Sequence, residues 1–182
     1  MQNTSLHGTL VMVHGMGVLI TGSPEIGKSE TALTLIKDGH SLVADDKVDI
    51  KLAADGILVG SCPPPIYGFI ELRGIGVVDI HEIFGQRSLL KSGHIDLIAS
   101  LIPWENNKTY DRFGETEHYK EILGQDIPYY EIPVKIGRNI ATILEVLALH
   151  QKAKQTGKYA YKTLSDNVKE FMSENKRNKL SE

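Results

Sequence analysis

The stretch GSPEIGKS, residues 22–29, has the residue types and spacing of a phosphate-binding loop. It fits the pattern G-x-x-x-x-G-K-[ST], in which backbone N–H groups and a helix N-terminus converge on one anion. Gly22 and Gly27 would permit the turn and the close approach of the backbone. Lys28 would reach phosphate oxygens as a point charge, and Ser29 would place its hydroxyl on magnesium. The pattern also occurs by chance, so the elements around it must support this interpretation.

Two adjacent aspartates, Asp45 and Asp46, follow a short apolar run at residues 41–44. A carboxylate at the end of a strand can bind magnesium or take the proton from an attacking hydroxyl group. Aspartate pairs also form turns, so on the residues alone both interpretations stay open. Many nucleotide hydrolases carry their second acidic motif much further along the chain. The short spacing here favours an unusual member of the phosphate-loop class.

Four further side chains have a chemical and an ordinary structural interpretation. The guanidinium of Arg112 suits a phosphoryl clamp, because it forms bidentate bonds to phosphate oxygens, but it can equally pair with a neighbouring acidic residue. His7 would be either a switchable base or a turn histidine. Glu71 lies between apolar neighbours and would face a site or solvent. Arg138 precedes a predicted helix, where anions bind, although a surface arginine is the common case.

Short apolar runs predict the strands that would position these groups. They lie at residues 10–13, 18–21, 41–44, 48–52, 57–61, 69–72, 95–101 and 129–136. Three prolines at residues 63–65 are expected to interrupt regular structure, and residues 103–126 are polar and rich in turn formers.

Helical spacing of apolar residues predicts three helices. The first begins near Lys28 and ends at Gly39, which suits the left-handed position after a helix. The second follows Asn139, a suitable N-cap, and the third begins near Lys162. The tail from Glu174 is polar and is expected to fray. Strands mixed with helices, with the loop between a strand and a helix, predict an α/β domain with α+β features.

Composition excludes several classes of protein. The 182 residues favour one domain with a real core. The formal net charge of -3 does not suggest nucleic acid or an anionic membrane as a partner. No apolar run approaches the ~20 residues of a membrane helix, and the N-terminus lacks the features of a signal peptide. With Cys62 as the only cysteine, no intramolecular disulfide is possible, so a reducing cytoplasm is expected.

Six motifs in the same order along the chain resemble HPr kinase/phosphorylase. They are Leu6-His7-Gly8, the stretch GVLITG-x-x-x-IGKSETAL from Gly17, GH-x-LVADD from Gly39, Cys62-Pro63-Pro64 followed by Ile70-Glu71-Leu72-Arg73-Gly74-Ile75-Gly76, Asp111-Arg112-Phe113-Gly114, which is similar to D-R-L-G, and Pro133-Val134-Lys135-Ile136-Gly137-Arg138-Asn139. Six ordered matches between residues 6 and 150 are far more specific than a single phosphate loop.

The resemblance implies a fold and an activity. The family's catalytic domain is a phosphate-loop (P-loop) kinase domain resembling the nucleotide-binding part of phosphoenolpyruvate carboxykinase. It phosphorylates a serine of the phosphocarrier protein HPr with ATP or pyrophosphate and Mg²⁺, and it reverses the reaction with inorganic phosphate. Members form homo-hexamers that regulate carbon metabolism in bacteria. We expect residues 1–158 to form the catalytic domain and 159–182 a helix with a polar tail, without the family's N-terminal domain.

The resemblance also implies roles for individual residues. It assigns nucleotide binding to the whole loop, which consists of Gly22, Ser23, Pro24, Glu25, Ile26, Gly27, Lys28 and Ser29. Within the loop Lys28 would be catalytic, and Ser29 would bind magnesium together with Glu71. Asp46 is favoured over Asp45 as the acid/base that takes the serine proton and returns it in the reverse reaction. His7 and Arg112 match further active positions, and the segment from Glu71 to Ile80 matches a catalytic stretch. A segment linked to dephosphorylation comprises Pro133, Val134, Lys135, Ile136, Gly137 and Arg138.

The loop departs from the family pattern, because Ser23-Pro24-Glu25 replaces D-S-G. Proline removes a backbone donor, and glutamate adds negative charge near a polyphosphate. Both changes are expected to weaken nucleotide binding or to alter the donor preference. Two other functions stay open: a related kinase acting on another protein or a small hydroxyl compound, and a non-catalytic nucleotide-sensing module. The set of acid, lysine and arginine argues against the second of these.

Overall fold

The computed structural model describes residues 2–179, so the end of the predicted polar tail, residues 180–182, lies outside the described residues. The strands are β1 (Asn3–His7), β2 (Thr9–Val13), β3 (Met16–Gly22), β4 (Ser41–Ala44), β5 (Lys47–Leu52), β6 (Leu58–Ser61), β7 (Phe69–Leu72), β8 (Gly76–Asp79), β9 (Ser92–His94), β10 (Leu97–Pro103), β11 (Tyr119–Ile122) and β12 (Gln125–Val134). The helices are α1 (Lys28–Lys37), α2 (Ile80–Phe84), α3 (Ile140–Gln155) and α4 (Ala160–Lys179). Within residues 2–179 no helix is long and apolar enough to cross a membrane.

A six-stranded sheet in the order β11-β12-β10-β3-β2-β4 forms the centre of the fold. β10 runs parallel to both β3 and β12, whereas β2 is antiparallel to β3 and to β4. The carboxyl ends of β3, β4, β10 and β12 therefore meet at one edge of the sheet. In α/β sheets this edge is where loops gather into binding sites. The mixed α/β class predicted from the sequence is confirmed.

Both faces of the central sheet are buried. Successive side chains of a strand point to opposite faces, and the neighbours Leu19 and Ile20 of β3 are both fully buried. Ile20 of β3 belongs to a core cluster with Leu35 of α1 and Leu144 of α3. Its neighbour Leu19 belongs to a second cluster with Ile50 of β5. That second cluster lies against a four-stranded antiparallel sheet in the order β1-β5-β6-β9. The central sheet thus lies between a helical layer and a second sheet.

The strongly periodic elements are the ones that the sequence predicted correctly. α1 begins at Lys28, and Gly39 adopts the left-handed conformation expected after a helix (φ 98°). Asn139 caps α3 by accepting a hydrogen bond from the backbone N–H of Thr142 at 3.2 Å. The last helix begins at Ala160 and extends to Lys179, beyond the point where fraying was expected.

Several short elements were missed by the sequence analysis. They are β1, β8, β9, β11 and α2, and two 3-10 turns at Pro64–Ile66 and Gln86–Ser88, the first within the proline run. β1 has no fully buried side chain and is held by its pairing with β5. β8 exposes Val77 and pairs with β7. β1 thus depends on a partner distant in sequence, and β8 has little buried apolar surface of its own, so the residues of both strands carry little signal.

Gly17 in β3 allows a close approach that generates a testable prediction. A Cβ atom built at Gly17 would lie only 1.6 Å from the carbonyl oxygen of His94, a backbone atom that cannot move aside cheaply. We expect Gly17→Ala to lower the free energy of unfolding by about 3 kcal/mol or more. Gly124→Ala is the control, since Gly124 has a positive φ but nothing within 4 Å of a built Cβ, and it should cost about 1 to 2 kcal/mol. Urea unfolding measures both, and equal losses would contradict the packing argument.

Candidate active site

The loop of residues 22–29 connects the carboxyl end of β3 to the first residue of α1, the strand–loop–helix arrangement that the sequence pattern requires. Gly22 (φ 140°) and Gly27 (φ 101°) adopt conformations that favour glycine. A Cβ atom at Gly22 would also lie 2.5 Å from the carbonyl oxygen of Leu101 in β10. Gly27 is the N-cap of α1 and offers no side-chain acceptor, so no side chain occupies the place where an anion would meet the first N–H groups of the helix.

Lys28 is buried beneath this loop. Its ammonium group donates hydrogen bonds to the carbonyl oxygens of Gly22 (3.1 Å) and Ser23 (3.0 Å). The loop's own backbone therefore holds the positive charge at the centre of the loop. A charge held in this position needs little reorganisation to meet phosphate oxygens.

Asp45 and Ser29 form the best-defined polar contact of the site. The Ser29 hydroxyl lies 2.9 and 3.1 Å from the two carboxylate oxygens of Asp45, and the Thr9 hydroxyl donates to one of them at 2.7 Å. Burial raises the pKa of Asp45 above its usual value, and the two hydroxyl hydrogen bonds oppose that shift. A buried carboxylate beside a serine hydroxyl is a pair of hard oxygen ligands of the kind that Mg²⁺ prefers.

Asp46 lies in a different environment from its neighbour. Its side chain is exposed, its backbone is left-handed (φ 66°), and one carboxylate oxygen lies 3.2 Å from Nδ1 of His7. The two aspartates are therefore separated by their surroundings: Asp45 is buried with hydroxyl partners, whereas Asp46 is accessible beside a histidine. An accessible carboxylate next to an imidazole is the better placed of the two to exchange protons with a substrate.

Glu71 of β7 lines the same cleft as the aspartates. It is exposed like Phe69, because alternate residues Ile70 and Leu72 point into the core. Its carboxylate is thus available to the site rather than packed within the protein. Ser29, Asp45 and Glu71 offer only oxygen atoms as ligands. Such a set of hard donors fits a divalent cation such as Mg²⁺.

Arg73 is a residue of the site to which the sequence analysis gave no role of its own. Its guanidinium donates to the Glu25 carboxylate at 2.7 Å and so connects the loop to the end of β7. Both side chains are more than half exposed, so the pair adds little to stability. Glu25 has a left-handed backbone (φ 69°). The signal for Arg73 in the sequence was its position in the segment from Glu71 to Ile80, which resembles a catalytic stretch of the family.

These groups line one cleft of about 420 Å³. Its wall includes His7, Thr9, Pro24, Glu25, Gly27, Lys28, Ser29, Asp45, Asp46, Phe69, Glu71, Arg73 and Val77. Three separate parts of the chain thus contribute the lysine, the two aspartates and the glutamate to a single space.

Arg112 does not line this cleft. It belongs to the segment between β10 and β11, where Asp111 accepts hydrogen bonds from the backbone N–H groups of Phe113 and Gly114, both at 2.9 Å. These bonds lower the pKa of the Asp111 carboxyl. Among residues 2–179, Arg112 forms no ion pair with Asp111 or Glu115, so the structural alternative considered for it is not observed.

Residues 133–138 also lie outside the cleft, although they comprise the carboxyl end of β12 and the loop after it, at the same edge of the sheet. The Arg138 guanidinium donates to the carbonyl oxygen of Pro133 and lies 6.0 Å from the ring centre of Trp104. Lys135 approaches the same ring at 5.2 Å, and Ile136 is fully exposed. One strand, β10, separates the strand that carries this segment from the strand that precedes the phosphate loop.

The buried carboxylate generates a prediction about pH. The pKa of Asp45 in the folded chain lies above 3.8, its ordinary value. At a pH between the ordinary and the folded pKa, the folded state therefore binds more protons than the unfolded state. The stabilising contribution of neutral Asp45 is complete below the lower value and is lost as pH rises through the folded pKa. We expect Asp45→Asn to gain stability relative to the unchanged chain as pH rises from 3.5 to 7, in urea unfolding without divalent cations. The exposed control Asp55→Asn should show no such trend, and a pH-independent difference for Asp45→Asn would contradict the burial argument.

Comparison with known proteins gives the family. The family model described as the HPr Serine kinase C-terminal domain matches residues 1–168. HPr kinase/phosphorylase of Lactobacillus johnsonii is 44% identical over 171 residues, which is 94% of this chain and 54% of the relative. The protein of the same name from Caldicellulosiruptor bescii is 46% identical over 167 residues, 92% of this chain and 54% of the relative. The chain spans about half the length of the curated relatives it matches.

A solved structure agrees with the sequence relationship. The structure titled as the Hpr(Ser) kinase/phosphatase from Coxiella burnetii matches with a TM-score of 0.79 and 33% identity, covering 92% of this chain and 98% of that chain. The residues that the family model matches include the loop, both aspartates and Glu71. The chain therefore belongs to the HPr serine kinase C-terminal domain family.

Proposed function

We propose that this chain transfers phosphoryl groups to a serine of the phosphocarrier protein HPr and removes them again, regulating carbon metabolism in bacteria. The proposal is supported by one observation above all: Lys28, the Ser29–Asp45 pair and the Asp46–His7 pair line the same cleft. The names of the relatives, HPr kinase/phosphorylase, support the choice of substrate. In the forward direction ATP or pyrophosphate would be the donor.

In the proposed mechanism the loop binds and orients the donor. The backbone N–H groups at the start of α1 and the Lys28 ammonium would neutralise phosphate charge, which is the main requirement of phosphoryl transfer. Ser29, Asp45 and Glu71 would hold Mg²⁺, which supplies further charge neutralisation when bound. Asp46 would accept the proton of the attacking serine hydroxyl, and His7 at 3.2 Å would orient the carboxylate. In the reverse reaction Asp46 would return the proton to the serine oxygen.

A protein substrate fits the surroundings of the cleft better than a small molecule does. The hairpin of β7 and β8 exposes the apolar side chains of Phe69, Ile75 and Val77 beside the site. A cluster of exposed apolar residues on a protein surface is typical of a protein–protein contact. This observation favours HPr over a small hydroxyl compound as acceptor.

Arg112 and residues 133–138 keep their proposed roles in the clamp and in dephosphorylation, although neither lines the cleft. Both lie at or beyond the carboxyl ends of strands of the central sheet. Because neither lines the cleft, their approach to the reacting groups would depend on movement of their loops or on a neighbouring subunit. A homo-hexamer is the assembly that the family resemblance implies. The exposed apolar side chains of α4 are available for contact between subunits; they are Leu164, Val168, Phe171 and Met172.

We place the activity in the cytoplasm. Burial raises the pKa of the Cys62 thiol to about 11, so the thiol stays protonated at neutral pH. A single cysteine in this state suits a reducing compartment.

The central test is phosphoryl transfer in both directions. The chain is incubated with HPr, Mg²⁺ and either ATP or pyrophosphate, and then with serine-phosphorylated HPr and inorganic phosphate. Asp46→Asn should lower kcat by about 10²- to 10⁴-fold, because the serine loses its proton acceptor, while the Kd for the donor changes little. Asp55→Asn, an exposed aspartate outside the cleft, is the matched control.

Other outcomes of this test favour other functions. Transfer to a different acceptor but not to HPr would favour a related kinase. Binding of nucleotide with transfer in neither direction would favour a nucleotide-sensing module. Unimpaired transfer by Asp46→Asn would overturn the role of Asp46 as acid/base.

The centre of the loop leads to a prediction about donor preference. Replacing Pro24 by Ser and Glu25 by Gly restores one backbone donor and removes a carboxylate beside the polyphosphate. We expect donor affinity to rise about 3- to 10-fold, and more for pyrophosphate than for ATP, because all the charge of pyrophosphate lies at the loop. Arg73→Gln, which leaves the Glu25 carboxylate without its partner, should change both affinities in the opposite direction. Calorimetric titration of both donors measures these effects, and an unchanged ratio between the donors would contradict the charge argument.

A further inference from the structure

A second cluster of potential ligands lies at the opposite end of β3 from the phosphate loop. His14, His40 and Glu145 place one ligand atom each within 4.8 Å of one another. The cluster lies beside the start of β3, and the loop follows its end, so about 20 Å of strand separates the two sites. Phosphoryl transfer gives these three side chains no role.

Each of the three ligands comes from a well-defined element. His14 lies in the two-residue turn between β2 and β3, with φ 51°, followed by Gly15 with φ 79°. His40 directly follows Gly39, and its backbone N–H donates to the carbonyl oxygen of Leu35 in the last turn of α1. Glu145 lies on α3, which packs against α1. The backbone positions of the three ligands are therefore fixed by the fold rather than by a flexible loop.

The distances suit a transition-metal ion after a small adjustment. One carboxylate oxygen of Glu145 lies 2.8 Å from Nε2 of His40 and 3.8 Å from Nε2 of His14. The two imidazole rings meet edge to face with 4.7 Å between their centroids. Ligands of a tetrahedral Zn²⁺ ion lie about 3.3 Å apart, given bonds of about 2.0 to 2.2 Å, so shifts of about 1 Å are sufficient. His14 is partly exposed and can make such a shift.

Burial of the cluster leaves one side open. The side chain of His40 is 9% exposed, that of Glu145 25% and that of His14 39%. An ion would therefore be reached from solvent on the His14 side and could keep a water molecule there as its fourth ligand. The Lys152 ammonium, also on α3, donates to the carbonyl oxygen of His14 at 3.4 Å and ties the turn to the helix.

The choice of residue in the turn supports a ligand role. A two-residue hairpin turn with two positive φ angles favours Asn-Gly or Asp-Gly. Here histidine takes the first position and directs its imidazole towards Glu145 and His40. A hydrogen bond between His40 and Glu145 would be enough to join α1 to α3, so the third group at His14 is not needed for that purpose.

We propose that His14, His40 and Glu145 bind a zinc ion that joins the β2–β3 turn, the end of α1 and the side of α3. Two imidazoles and one carboxylate are a zinc-type ligand set, distinct from the all-oxygen set of the cleft. The ion stabilises the end of the helix whose other end forms the phosphate loop. This site does not depend on the reaction proposed for the cleft.

The test uses the whole chain, freed of metal by a chelator and then titrated with Zn²⁺ or Co²⁺. Zn²⁺ at 100 times its Kd should raise Tm by about 5 to 10 °C, and Co²⁺ should give visible absorption that Zn²⁺ abolishes. His14→Asn keeps a residue suited to positive φ and leaves the His40–Glu145 hydrogen bond in place. It should weaken Zn²⁺ binding at least about 10-fold without changing Tm in the chelator.

Two control variants locate the ion. His118→Asn removes an exposed histidine that is not part of the cluster and should bind Zn²⁺ like the unchanged chain. Asp45→Asn removes a ligand of the cleft and should keep the Zn²⁺-dependent rise in Tm. Absence of that rise in the unchanged chain, an undiminished rise at the same Zn²⁺ concentration in His14→Asn, or its loss in Asp45→Asn would overturn the proposal.

Discussion

The buried carboxylate of Asp45 is the interaction on which the geometry of the site depends. It joins Thr9 at the start of β2, Ser29 in the first turn of α1 and the end of β4, three places distant in sequence. Burial opposes its charge, and two hydroxyl hydrogen bonds offset part of that cost. A carboxylate in this state gains more from a nearby cation than an exposed one does. The same contact therefore orders the cleft and places two oxygen donors, the Asp45 carboxylate and the Ser29 hydroxyl, side by side.

The central sheet explains why the chemistry gathers at one edge. Since β3, β4, β10 and β12 end on the same side, the phosphate loop, both aspartates and residues 133–138 are neighbours of a single edge. Their distances from the loop then follow from strand order. Asp45 is brought close through β2, whereas residues 133–138 lie beyond β10. α1 extends from this edge to the opposite one, where His40 meets Glu145.

The β7–β8 hairpin gives the cleft an exposed apolar surface and a charged contact with the phosphate loop. The exposed apolar residues of the β7–β8 hairpin provide a surface beside the reacting groups. Arg73 places a positive charge against Glu25, so the negative charge that the sequence puts into the loop is partly balanced. One hairpin thus contributes an exposed apolar side chain beside the cleft, Val77, and a positive charge against the loop, Arg73.

Much of the site could be predicted from local sequence. Glycines at residues 22 and 27, the following lysine and serine, and the helical spacing after them specify a strand, a loop and a helix within one short stretch. The apolar run before Asp45 likewise predicts that the pair ends a strand, and Asn139 is recognisable as a cap. These features depend on neighbours in sequence, and turn chemistry and helical periodicity express them directly.

Tertiary structure alone decided which of two adjacent aspartates is buried. Nothing local separates Asp45 from Asp46, yet packing against Thr9 and Ser29 buries one and leaves the other exposed beside His7. Other features depend in the same way on segments distant in sequence: the Arg73–Glu25 pair and the pairing of the weak strand β1 with β5. Short-range patterns do not record such pairings, because their free energy arises only when the chain brings the distant partners together.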